Sequence, residues 1–125
     1  MLTEILDVKQ NLKDNYRRWF TDDFFDLIVW YKNGPKSVKI GFQLCYNKNT
    51  PQEKSLTWRK NQGYMHNAVD QGENVGQNKA TPILILDGAF NKNNISECFT
   101  KMAGNIDQEI FKYVFKKIKL YKNDL

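Results

Sequence analysis

The chemistry this chain can offer gathers around its single histidine. His66 stands in the run from Tyr64 to Glu73, with Asp70 four residues on and Glu73 three beyond that. An imidazole with carboxylates at this spacing suits a divalent ion, or a general base whose tautomer Asp70 would fix. A usual protein metal site assembles three or four such donors, and one His does not supply them. Neither a metal nor another cofactor is therefore expected, and His66, Asp70 and Glu73 are read as binding residues. A second grouping sets Cys45 as a nucleophile with His66 as its base and Gln43 donating to an oxyanion. It requires the segment carrying His66 to fold over the strand carrying Cys45, and a buried structural thiol is the plainer reading of Cys45.

A third set is Glu4, Asp26 and Gln43. In the order helix, strand, strand, it resembles the acidic set of the restriction-endonuclease-like nucleases, which implies Mg²⁺-dependent phosphodiester hydrolysis. That pattern places a Lys two positions after the Glu or Gln, and Cys45 occupies the position here. No phosphate-binding glycine loop, dinucleotide fingerprint, nucleophile elbow or zinc-ribbon spacing occurs. Lys112, Lys116 and Lys119 fall on one face of a predicted helix. A lysine stripe there can grip phosphates, but a solvated face near a helix C-terminus is the simpler reading, which makes nucleic acid a less favoured partner.

These residues sit in a chain of one-domain length, residues 1–125, with net charge +5. Its pI near 9.2 permits polyanion contact, yet acids are scattered among the bases, as on a mixed solvated surface. With 41% hydrophobic and 26% charged residues and a mean hydropathy of −0.66, the composition is that of an ordinary soluble domain. No uncharged run approaches the roughly 18 apolar residues needed to span a bilayer, so no membrane is expected as a partner. The N-terminal residues carry early acids and no basic region, which makes a cytoplasmic location the default. The two cysteines, Cys45 and Cys98, are expected reduced and near the core.

Residues 25–31 and 38–46 carry β-branched and aromatic side chains on either side of Asn33-Gly34-Pro35, and predict a strand, a turn and a strand. In the second, Val38, Ile40, Phe42, Leu44 and Tyr46 alternate with a more polar set, so one face is predicted to meet the core. Residues 55–59 and 81–86 predict two further strands. Residues 3–20 predict an amphipathic helix, from Ile5, Val8, Leu12, Tyr16 and Trp19 at helical spacing. Residues 60–80 predict a long polar loop, for which a binding element is one reading and a disordered segment the plainer one. Asn94 and Asn105, each with Glu or Gln three residues on, predict the starts of two C-terminal helices. The expected fold is α+β: a four-stranded, mainly antiparallel sheet with N- and C-terminal helices packed on one face. Its expected core joins Tyr16, Trp19, Trp30, Phe42, Leu44, Trp58, Phe99 and Val114 to residues 83–86.

The words Phe25-Asp-Leu-Ile-Val-Trp-Tyr, Gly41-Phe-Gln-Leu-Cys-Tyr, Ser55-Leu-Thr-Trp, His66 with Val69-Asp70 and Gly72-Glu73, and Thr81-Pro-Ile-Leu together resemble a small family of uncharacterised bacterial proteins. The resemblance implies a small bacterial protein and carries no activity. From the residues themselves, a non-catalytic domain that binds a small ligand or a protein is the favoured reading. Its binding residues would be Asp26, Gln43, Cys45 and Arg59 on the polar sheet face, with His66, Asp70 and Glu73. A metal-dependent hydrolase is the alternative, which leaves enzymatic activity open, and nucleic-acid binding through the basic helix face is the third reading.

Overall fold

A computed structural model of the chain describes residues 1–10, 15–70, 83–86 and 90–122, and at 69–70 and 83–86 it describes the backbone alone. Seven strands precede two helices: β1 (Thr3–Ile5), β2 (Tyr16–Thr21), β3 (Phe25–Tyr31), β4 (Lys39–Tyr46), β5 (Lys54–Arg59), β6 (Gly63–Asp70), β7 (Ile83–Leu86), α1 (Lys92–Met102) and α2 (Gln108–Leu120). The strands form one sheet in chain order, and every neighbouring pair is antiparallel. Short links allow such a meander, because antiparallel strands need no crossover.

The α+β class is as expected, and the element list differs from the prediction in three ways. The segment 3–20 forms no helix among its described residues; it supplies β1 and most of β2. A three-residue spacing of Tyr16 and Trp19 fits a helix, but the composition of β2, Tyr-Arg-Arg-Trp-Phe-Thr, suits a pleated strand. Alternation there turns Arg18 and Phe20 one way and Trp19 and Thr21 the other. The predicted loop 60–80 contains β6, which opens at Gly63 with φ +75°, a left-handed conformation that glycine adopts without strain. Its polar side chains hid the strand. Among the described residues, then, both helices follow the strands, and the sheet has seven strands where four were expected.

The turn between β3 and β4 lies where Asn33-Gly34-Pro35 places it. It is held by Ser37, whose Oγ accepts from the amides of Asn33 and Gly34 at 3.0 Å each. α1 starts on Asn91, whose side chain accepts from the amide of Asn94, and α2 starts on Asp107, which accepts from the amide of Glu109. The predicted caps, Asn94 and Asn105, lie within a few residues of these.

One sheet face meets the helices. Phe25, Leu27 and Val29 of β3, Phe42 and Leu44 of β4 and Leu56 of β5 are fully buried against Phe99, Ile110, Val114 and Ile118. Phe99 packs edge-on to Phe25 at 5.9 Å and stacks on Phe111 at 5.5 Å, so it joins sheet, α1 and α2. Leu2 is also fully buried; its amide donates to the Met102 carbonyl at 2.8 Å and its carbonyl accepts from Asn105 Nδ2 at 3.0 Å. Phe42, Leu44, Phe99 and Val114 take their expected core places. Trp19 and Trp30 do not: their strand positions alternate with the buried set, and each is half-buried on the opposite face. The side chains of residues 83–86 lie outside the described part.

Phe99→Ala removes the ring that links the sheet, α1 and α2. It is expected to destabilise the fold by about 3–5 kcal/mol, read as a lower urea midpoint at unchanged denaturant slope.

Candidate functional site

Cross-strand register arranges the face opposite the helices into rows. One row runs Thr21, Asp26, Cys45, Ser55, Asn67 across β2 to β6; the next runs Trp19, Ile28, Gln43, Thr57, Met65; the third runs Arg17, Trp30, Gly41, Arg59, Gly63. Asp26, Gln43, Cys45 and Arg59, four of the predicted binding residues, thus share one face. Neither helix packs against it.

The third row holds the most specific arrangement. Gly41 of β4 sits between Trp30 of β3 and Arg59 of β5, where a Cβ would lie 2.5 Å from the Trp58 carbonyl oxygen. With no side chain at Gly41, Arg59 reaches across β4 and lays its guanidinium over the Trp30 ring, 4.3 Å from the centroid. Asn15 completes the support: its Oδ1 accepts from Arg59 Nη2 at 3.3 Å while its Nδ2 donates to the Lys32 carbonyl. An extra residue in β4, Ile40, shifts the register between Trp30 and Tyr31, and sets Lys39 opposite Tyr31. Beside this bulge lies a cleft of about 440 Å³ lined by Asn15, Lys32, Val38, Ile40, Arg59, Lys60, Asn61 and Gln62. None of these residues is acidic.

The first row is built for support. Lys48 Nζ donates to Asp26 Oδ1 at 3.0 Å, to Thr21 Oγ1 at 3.0 Å and to the Asp22 carbonyl at 2.9 Å, and Thr21 donates to the same Asp26 oxygen at 2.6 Å. Asp26 is thereby engaged by its own neighbours. Gln43 Nε2 approaches Cys45 Sγ at 3.6 Å, and burial pushes the Cys45 thiol up to about 11, so it stays protonated at neutral pH. Cys45 and Cys98 are both free and half-buried; Cys98 packs against the core as expected, whereas Cys45 lies on the face opposite it.

Two predicted groupings are taken apart by the alternation of side chains. His66 pairs with Leu56 and faces the helices, 3% exposed; its Nε2 and the Tyr46 hydroxyl lie 2.6 Å apart, with Phe90 and Tyr121 against its ring. It is neither a surface residue nor within reach of Cys45, which lies on the other side of the sheet. Asp70 is the last residue of β6, paired with Ile83, and its side chain lies outside the described part, as does all of Glu73. Glu4 also faces the helices, held by Arg18 through two hydrogen bonds of 2.8 and 2.6 Å, whereas Asp26 and Gln43 face away. The nuclease-like set is thus divided between the two faces. Lys112, Lys116 and Lys119 are exposed on α2, as a solvated stripe would be.

Sequence reasoning missed Trp30 as a site residue, having placed it in the core, and missed Lys32, Lys60 and Asn15. The signal for Trp30 was available in its alternation with Phe25, Leu27 and Val29. That Arg59 would reach it depended on knowing that Gly41 lies between them. Comparison of the chain with protein-family models, curated proteins and solved structures finds no match.

In a Cys98→Ser background, Cys45 is expected to react slowly with a disulfide reagent at pH 7.5 in the native protein. The rate should rise about tenfold per pH unit towards about 11, whereas the urea-unfolded chain reacts as an ordinary thiol. The native thiol holds its proton above the unfolded value of about 9, so this group's contribution to stability is intact below pH 9 and is lost as pH rises to about 11.

Proposed function

We propose that this chain is a non-catalytic ligand-binding domain, with its ligand site on the sheet face opposite the helices, at the cleft beside Trp30 and Arg59. The observation that carries the reading is the guanidinium of Arg59 stacked on Trp30 across Gly41, held in advance of any ligand at the wall of the cleft. A pre-oriented side chain loses little freedom on binding, which is how rigid sites gain affinity. Around it, Met65 is 53% exposed and Val38 55% exposed, so apolar surface accompanies the cations.

The hydrolase reading has less behind it. Of its candidate residues, His66 is enclosed by aromatic rings under the helices and Asp26 is occupied by Lys48; the separate pairing of Cys45 with His66 would need a thiol that stays protonated at neutral pH and faces the other way.

A panel of anionic, neutral and cationic small molecules and short peptides, titrated while amide and side-chain N–H shifts are followed, should move Trp30 Nε1–H, Arg59 Nε–H and the Gln43 amide for at least one class. Arg59→Ala should weaken that binding at least tenfold. Shifts confined to the outer face of α2, or none across the panel, would sink the reading.

A further inference from the structure

Given that reading of the face as a ligand site, we propose that the cleft takes a phosphate group carried beside a flat ring, the chemistry of a nucleotide unit. Three cations converge on it. Lys32 and Lys60 flank β4 on its two sides, their amides donating to the Val38 and Ile40 carbonyls at 2.9 Å each. Two strand spacings put their backbones about 10 Å apart, a gap that two lysine side chains span. Neither ammonium has a partner among the described residues, and neither meets an acid in the lining of the cleft.

Arg59 supplies the third cation. Its guanidinium carries five N–H donors, of which Asn15 accepts from one nitrogen, at 3.3 Å. The remaining fork has the planar geometry that phosphate oxygens accept from in pairs. Three positive charges about one cleft exceed what a single carboxylate needs and suit a phosphate, which carries about −1.5 to −2 at neutral pH.

The ring is called for by the floor. Val38 and Ile40 expose apolar surface between the two lysines, and the Arg59 guanidinium, backed by Trp30, offers a flat cationic plate at its edge. Bases stack on such plates with little regard to their identity. A free nucleotide and a single-stranded nucleic acid share this chemistry, and the experiment separates them.

The intact chain is titrated with adenosine monophosphate, adenosine, citrate and a ten-nucleotide thymidine strand, with N–H shifts and tryptophan fluorescence as readouts at 50 and 200 mM salt. The phosphorylated probes are expected to move the Arg59 Nε–H and the Lys32 and Lys60 amides, and adenosine and citrate to bind at least tenfold more weakly. A strand that binds at least tenfold tighter than the mononucleotide identifies the polymer; equal affinities identify the free nucleotide. Lys32→Gln combined with Lys60→Gln should leave the unfolding midpoint unchanged and cost at least about tenfold in affinity. For the strand it should also lower the salt slope by about 1.4. Silence of both phosphorylated probes at these residues, or affinity untouched by the double substitution, overturns the inference. If other members of the wider panel still move Trp30 and Arg59, the binding-domain reading survives that loss.

Discussion

Every described strand in this sheet pairs antiparallel with its neighbour in sequence, and among the described residues the helices follow the strands. Two helices cover one face. That constraint sorts the chain: β3 presents Phe25, Leu27, Val29 and Tyr31 to the helices and leaves Asp26, Ile28 and Trp30 on the other side. Chemistry-bearing residues accordingly divide by parity within each strand, and proximity in sequence says little about which of them meet. His66 and Met65 are adjacent in the chain and lie on opposite sides of the sheet.

The two faces solve the problem of polar groups differently. Beneath the helices, the half-buried Arg18 is held in a doubly hydrogen-bonded pair with Glu4, with Asp107 also within 3.4 Å, and the Tyr113 hydroxyl is buried without a hydrogen-bond partner among the described residues. Burial pushes that hydroxyl up to about 12, while Lys39 lies over the Tyr113 ring and Lys117 over the rings of Trp58 and Tyr113. On the opposite face, Lys48 ties β3 to the segment after β4 through Asp26 and Thr21, and Arg59 bridges β3 and β5 over Gly41. These bridges span strands, so they stiffen a face against which neither described helix packs.

Where burial was one-sided and the residues strongly β-forming, the sequence was legible: β3, β4 and β5 fall close to where alternation put them, and Asp26, Gln43, Cys45 and Arg59 do share a face. It was least legible where a strand was polar or where two periods fit the same residues. β6, with Asn, His and Met among its side chains, carries a weak apolar signal, and its strand character comes from pairing with β5. In residues 16–21 the helical spacing of two aromatics competed with alternation, and pairing to β3 decided it. The Trp30 and Arg59 contact was out of reach for a different reason. It depends on three strands in register and on a glycine in the middle one, a relation that only tertiary structure supplies.

The anchoring of Leu2 to Met102 and Asn105 closes the chain's beginning onto the turn between its two helices. During synthesis the strands leave the ribosome before the helices exist, with Phe25, Leu27, Phe42, Leu44 and Leu56 all awaiting cover. Such non-local closure is slow and leaves nascent apolar sheet open to wrong partners. A ribosome stalled before α1 would therefore present a sticky open sheet, and translation of the segment that encodes α1 and α2 is what covers it.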